Sequence, residues 1–143
     1  MKRNYVLCLI LSLPFLAIAA DNPSAAKDLA GNPVIDGWYA DPEGIIFSDR
    51  YWIYPTYSAP YGEQTFFDAF SSPDLVNWTK HPSILSTATV KWASRAIWAP
   101  SPVFRNGKYY VFFAANDIQN DEELGGIGVG ISNSPSGPFL DAL

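Results

Sequence analysis

One pattern limits this chain more than any other: a series of short aromatic and β-branched segments, separated by turn residues, that is spelled out twice. Residues 44–47, 51–54, 65–71 and 78–85 read as strands of a first copy, with Ser48-Asp49-Arg50 as the first turn. Residues 101–104, 109–115 and 126–132 read as strands of a second copy, turned at Arg105-Asn106-Gly107-Lys108. Aromatic and β-branched side chains favour a pleated, half-buried backbone. Asn106-Gly107 is a strong hairpin signal, because both residues accept positive φ. Pro55 predicts a strand end or a bulge, since proline donates no ladder hydrogen bond. In this alignment Phe47 matches Phe104, with the second turn one residue longer, and Ser71-Ser72-Pro73 echoes Ser132-Asn133-Ser134-Pro135.

A repeat of about four short strands per unit predicts an all-β fold built from the blades of a β-propeller. An ordinary β-sandwich is the competing architecture. Residues 109–115 favour the propeller: Tyr109, Val111 and Phe113 fall on one face, Tyr110, Phe112 and Ala114 on the other, and both faces are apolar. A sheet pressed between two neighbours needs that pattern. Two blades leave an apolar flank uncovered on each side, so the chain reads as the N-terminal part of a longer propeller domain, residues 21–143.

The first twenty residues read as a secretory signal peptide. Lys2 and Arg3 precede an apolar run over 6–18, and Ala17-Ile18-Ala19 supplies small residues for cleavage. The run is too short for a membrane span. The expected location is secreted or periplasmic, with no membrane insertion after cleavage. Cys8, the one cysteine, lies inside this leader, so the mature domain must hold together without disulfides. The net charge of −5 becomes more negative without Lys2 and Arg3, which argues against nucleic acid as a partner.

Asp41 is the leading candidate for chemistry. It sits in Trp38-Tyr39-Ala40-Asp41-Pro42-Glu43, where a carboxylate among aromatics can accept a proton while flat rings face a sugar. Its bland alternative is a turn aspartate, since Asp-Pro commonly opens turns. Trp38, Tyr39 and Trp98 are candidates to stack on a sugar, against an alternative role in core packing. Trp98 ranks first of the three, because it stands before the second inner strand at what reads as the counterpart of Asp41. Trp78 and Trp92 read as structural. Asp68 lies among phenylalanines, where a charge must be paired or used; it reads as lining the pocket or as binding a backbone amide, with the pocket wall preferred. Asn116 and Asp117 end a strand and are assigned to substrate binding. Glu43, two residues after Asp41, reads as structural. Arg95 reads as a sugar or acid partner, and His81 as a surface or turn residue. The acidic run Asp121, Glu122, Glu123 reads as a solvated loop, with a structural calcium ion as its alternative.

The stretches around Trp38–Glu43, Ser71–Trp78, Ala96–Pro100, Asn106–Tyr110 and Ser134–Phe139, with Gly31-Asn32-Pro33-Val34 before them, resemble glycoside hydrolase family 43 in order and spacing. That resemblance implies a five-bladed propeller that releases arabinose, xylose or related sugars from plant polysaccharides, with an inverting mechanism and no cofactor. It implies that Asp41 is the general base. The family's tuning aspartate and acid glutamate have no match here; Asp141 comes too early. An α-L-arabinofuranosidase or β-xylosidase is the expected activity, with a non-catalytic carbohydrate-binding propeller or an exo-galactanase as alternatives. The expected partner is an arabinose- or xylose-containing polysaccharide or oligosaccharide.

Overall fold

The computed structural model describes residues 31–116 and 124–142; the leader, Asp117 and the acidic run lie outside the described residues. Among the described residues, eight strands form two four-stranded antiparallel meanders. The first sheet holds β1 (Tyr39–Phe47), β2 (Arg50–Tyr57), β3 (Phe66–Ser72) and β4 (Thr79–Ser86), with a 3₁₀ turn at Tyr61–Glu63 between β2 and β3. The second holds β5 (Trp98–Arg105), β6 (Lys108–Ala115), β7 (Gly126–Ser132) and the short β8 (Leu140–Asp141). The first strands of the two sheets, β1 and β5, lie against each other. This is the arrangement of two consecutive propeller blades with their inner strands at a common axis.

The two hairpins explain why the repeat is tighter than the sequence alignment implies. Ser48 and Asp49 have φ of 49° and 58°, and Asn106 and Gly107 have φ of 51° and 75°. Both are therefore two-residue turns with positive φ at each position, whose twist suits a hairpin. Phe47 pairs with Arg50 across one turn, and Arg105 with Lys108 across the other. The turns are equal in length, so the counterpart of Phe47 is Arg105, and Phe104 corresponds to Ile46.

Strand ends also differ from expectation. β1 begins at Tyr39 rather than at 44, and β2 runs through Pro55 to Tyr57. Pro55 is tolerated because the ladder to β3 covers only Tyr51, Trp52 and Ile53. The bulge is on the partner strand: pairing steps from Ala40–Thr56 to Glu43–Tyr54, so Asp41 and Pro42 together oppose Pro55.

The core lies between the blades. Trp52, Tyr54, Phe67 and Ala69 of the first sheet face Val111, Phe113 and Ala115 of the second, and Ile84, Leu85 and Phe139 close the cluster. Each large side chain in such a cluster contributes about 1.5–3 kcal/mol by leaving water. Edge-to-face ring pairs fix the register, with Phe47 on Tyr109 at 5.1 Å and Phe67 on Phe113 at 6.1 Å. The buried Tyr54 hydroxyl donates to the Pro135 carbonyl at 2.6 Å, and Phe139 N–H donates to the Ile84 carbonyl at 2.7 Å. Burial holds the Tyr54 phenol far above its usual range. Phe112, on the opposite face of β6, is 45% exposed, as the two-sided apolar pattern of 109–115 requires of an outer flank.

His81 lies within β4, half-buried, instead of in a turn. Its ring stacks on Trp52 at 5.0 Å and its Nε2 is hydrogen-bonded with the Ser71 hydroxyl at 2.9 Å.

Candidate functional site

Asp41 sits where the inner strand of the first blade bulges. Its φ is 47°, a conformation that L residues other than Asn and Asp rarely adopt. The second blade repeats the device. β5 pairs Trp98 with Ala114 and then Ser101 with Phe112, so Ala99 and Pro100 together oppose Phe113, and Ala99 has φ of 48°. The true counterpart of Asp41 is therefore Ala99. Trp98 is the counterpart of Ala40 and opens β5 instead of preceding it. The sequence alignment missed this by one residue because it lengthened the second turn.

The two bulges adjoin. Thr56 pairs with Ala40 beside the first bulge, and its hydroxyl accepts the Ala99 N–H of the second at 2.8 Å. Asp41 is exposed at this junction. Glu43 is exposed too, but the bulge breaks the regular alternation that would place it on the same face as Asp41. Trp38 immediately precedes β1, is 70% exposed, and accepts a hydrogen bond from Ser58 N–H at its carbonyl. Trp98 is half-buried beside Ala99; its indole N–H donates to Gln64, and the Tyr61 ring meets it edge-on at 5.4 Å. Exposed carboxylate, exposed tryptophan and anchored tryptophan thus share the end of the two blades where the inner strands begin.

Other predicted residues spend polar atoms on bonds inside the fold. Asp68 is 2% exposed and spends both oxygens internally. Its Oδ2 accepts from the Tyr39 hydroxyl at 2.7 Å and from Lys80 Nζ at 2.8 Å, and its Oδ1 accepts from Ser83 N–H at 2.9 Å. The Asp68 hydrogen bond raises the Lys80 ammonium, while burial and then Asp68 raise the Tyr39 phenol. Tyr39 is held by this network and by its edge contact with Phe70 at 5.3 Å, so its ring packs the strand's root. Asn116 is 4% exposed. Its side chain accepts from Ser94 and donates to the carbonyls of Trp92 and Leu124, which closes a loop. Trp92 stacks on Phe113 at 5.9 Å and is structural, as expected. Arg95 is half-buried, with its carbonyl bonded to Asn116 N–H. Thr56, Gln64, Tyr61 and Lys80 escaped the sequence reading. Only the recurrence of a small residue before proline, Asp41-Pro42 and Ala99-Pro100, carried a signal for the shared bulge.

Residues 30–143 match the sequence signature of Glycosyl hydrolases family 43. The chain belongs to that family. Among curated relatives, it is similar to the beta-D-galactofuranosidase xynD of Aspergillus niger, with 46% identity over 97% of this chain and 42% of that protein. It is also similar to xylosidase/arabinosidase 43A of Humicola insolens, with 31% identity over 75% of this chain and 36% of that protein. Among solved family-43 structures, the Xanthomonas citri enzyme complexed with xylotriose aligns with a TM-score of 0.65 and 28% identity, over 76% of this chain and 33% of that one. The chain spans less than half the length of these family members.

Proposed function

We propose that this chain supplies the first two blades of a secreted, inverting family-43 glycosidase, and that Asp41 is its general base. The observation that carries the proposal is the exposed Asp41 carboxylate at the inner-strand bulge, next to a tryptophan anchored at the equivalent bulge of the next blade. A general base must reach water and stay ionised, and an exposed aspartate can do both. In an inverting reaction this base removes a proton from a water that attacks the anomeric carbon. A carboxylic acid on the opposite side, roughly 6.5–9.5 Å away, protonates the leaving oxygen. Glu43 follows Asp41 on the same strand and cannot flank a sugar from the other side; the acid belongs to the remainder of the catalytic domain. Trp98 and Trp38 stack against the sugar's C–H face.

The substrate class supported best is a furanoside or pentoside on a plant-type polysaccharide, α-L-arabinofuranosyl or β-D-xylosyl. The 46% identity to a beta-D-galactofuranosidase favours a second reading, cleavage of β-D-galactofuranosides. That sugar shares the five-membered ring and its substituent pattern with α-L-arabinofuranose and adds an exocyclic carbon.

The test assays the full-length protein on 4-nitrophenyl α-L-arabinofuranoside, β-D-xyloside and β-D-galactofuranoside, beside its Asp41→Asn form. The substitution should cut kcat by roughly 10²–10⁴-fold, the usual worth of a general base. Undiminished turnover by the variant would remove Asp41 from the mechanism. Nuclear magnetic resonance of the first-formed anomer checks inversion.

A further inference from the structure

We propose that Gln64 is the positioning residue for Trp98, fixing the plane of its indole at the mouth beside Asp41. The inference rests on the glycosidase reading above and adds to it a residue that touches no sugar.

Gln64 follows the 3₁₀ turn after β2, directly after four exposed residues, 60–63, yet it is only 7% exposed itself. A buried amide needs partners for both its ends, and here each end ties down a different element. Its Oε1 accepts the Trp98 indole N–H across the blade boundary. Its Nε2 donates to the Ala59 carbonyl at 2.7 Å, which fixes the amide's direction. Its own carbonyl accepts Ile97 N–H at 3.0 Å, and the Tyr61 carbonyl accepts Ala96 N–H at 3.3 Å. The segment before Trp98 is thereby laced to the turn that carries Gln64. The edge of Tyr61, 40% exposed, braces the same indole at 62° between ring planes. The indole's one polar atom is thus anchored from the neighbouring blade while part of its ring stays open to solvent. An indole pinned at its N–H and braced on its ring offers a fixed flat surface, so a sugar that stacks on it does not have to freeze it first.

Stacking of this kind acts on bound substrate and transition state alike, so its loss raises KM and spares kcat. Gln64→Met matches the side chain in length but has no strong donor or acceptor. In the full-length protein, on the aryl glycoside that it cleaves, this variant should raise KM roughly three- to tenfold, the cost of ordering one freed side chain on binding. kcat should stay within about twofold. In a Trp98→Phe background the same change should move KM by less than about twofold, because the group it acts through is gone. An equal rise in KM in both backgrounds would overturn the proposal. Loss of the glycosidase reading shows separately, as no turnover of any of the three aryl glycosides by the unsubstituted protein.

A second measurement needs no Gln64 variant to fold. In the unsubstituted protein the Trp98 indole N–H, assigned through Trp98→Phe, should exchange with deuterium far more slowly than that of exposed Trp38. Equal exchange rates would also overturn the proposal.

Discussion

Asp68 should be the most sensitive surface-proximal residue of the first blade, and its environment sets the size of the effect. Asp68→Ala removes an acceptor of three hydrogen bonds, from Tyr39, Lys80 and Ser83. The Ser83 N–H sits in the irregular stretch of β4, where pairing steps from Phe67–Leu85 to Ala69–His81. No strand partner is there to replace Asp68, so the donor is left unmet at about 1–3 kcal/mol. The Tyr39 hydroxyl loses a charge-assisted bond, about another 1.5 kcal/mol. Lys80 is 52% exposed and returns to water, so its pairing adds little. The sum is about 3 kcal/mol, toward the low end for breaking a buried ion pair. Lys80→Met and Tyr39→Phe each leave Asp68 with two donors and should cost about 1 kcal/mol apiece. Urea titration of the full-length protein, followed by tryptophan fluorescence, reads these differences as midpoint shifts at constant slope. If Asp68→Ala costs under about 1 kcal/mol, or less than Lys80→Met, the carboxylate is not the anchor that its contacts describe. If it is instead neutral for stability but raises KM, Asp68 belongs to the pocket wall.

Stability should fall at both ends of the pH range. Lys80 and Tyr39 are both raised, so their contributions are intact below their free values near about 10 and are lost as pH climbs through the raised ones. His81 is lowered, by burial and then by Arg50, so its contribution is intact above about 6.5 and is lost as pH falls through its lowered value. Melting temperatures at pH 5, 7 and about 11.5 check both signs, and Tyr39→Phe with Lys80→Met should lessen the alkaline loss, leaving the part that the raised Tyr54 phenol carries. Gly137→Ala should destabilise by more than about 1 kcal/mol, since φ is +73° and an added Cβ would meet the Ile84 carbonyl oxygen at 2.7 Å. Denaturant midpoints measure it.

What the residues disclosed follows from how local each signal is. Strand character was legible because aromatic and β-branched runs state it one residue at a time. The Asn106-Gly107 turn was legible because that pair is suited to little else. Ser48-Asp49 adopts the same turn with residues that do many other things, so its length was misjudged, and the repeat slipped by one. That slip moved Trp98 onto Asp41 in the alignment, where Ala99 belongs. The start of β1 was hidden because Asp-Pro reads as a turn; in the fold the pair occupies a bulge that lets the strand continue. The partners of Asp68 were out of reach for another reason. A charge between phenylalanines announces a need, but which cation meets it depends on a β3–β4 register that is itself interrupted. Gln64 and Thr56 gave no sign, since a polar residue in a loop is the ordinary case and only the neighbouring blade makes these two exceptional.

The two bulges separate what the fold imposes from what chemistry adds. Ala99 holds the same left-handed backbone as Asp41 and carries no charge, so the strained geometry does not exist because of the carboxylate. The blade supplies a kinked position, and the first blade fills it with an acid. For an L residue that backbone costs about 1–2 kcal/mol, less for Asn and Asp, and glycine escapes it while giving up about 0.5–1 kcal/mol of chain entropy. Ala99→Gly should therefore be neutral or stabilising by up to about 1 kcal/mol. Asp41→Asn should leave the urea midpoint unchanged, because asparagine tolerates the same φ and, among the described residues, the exposed carboxylate makes no hydrogen bond or ion pair that would be lost. The same Asp41→Asn protein should have lost nearly all turnover. Intact stability with lost rate marks a residue retained for chemistry. If Asp41→Asn instead unfolds the first blade by more than about 1 kcal/mol, the aspartate is a turn residue after all, and the base must be sought elsewhere at the mouth.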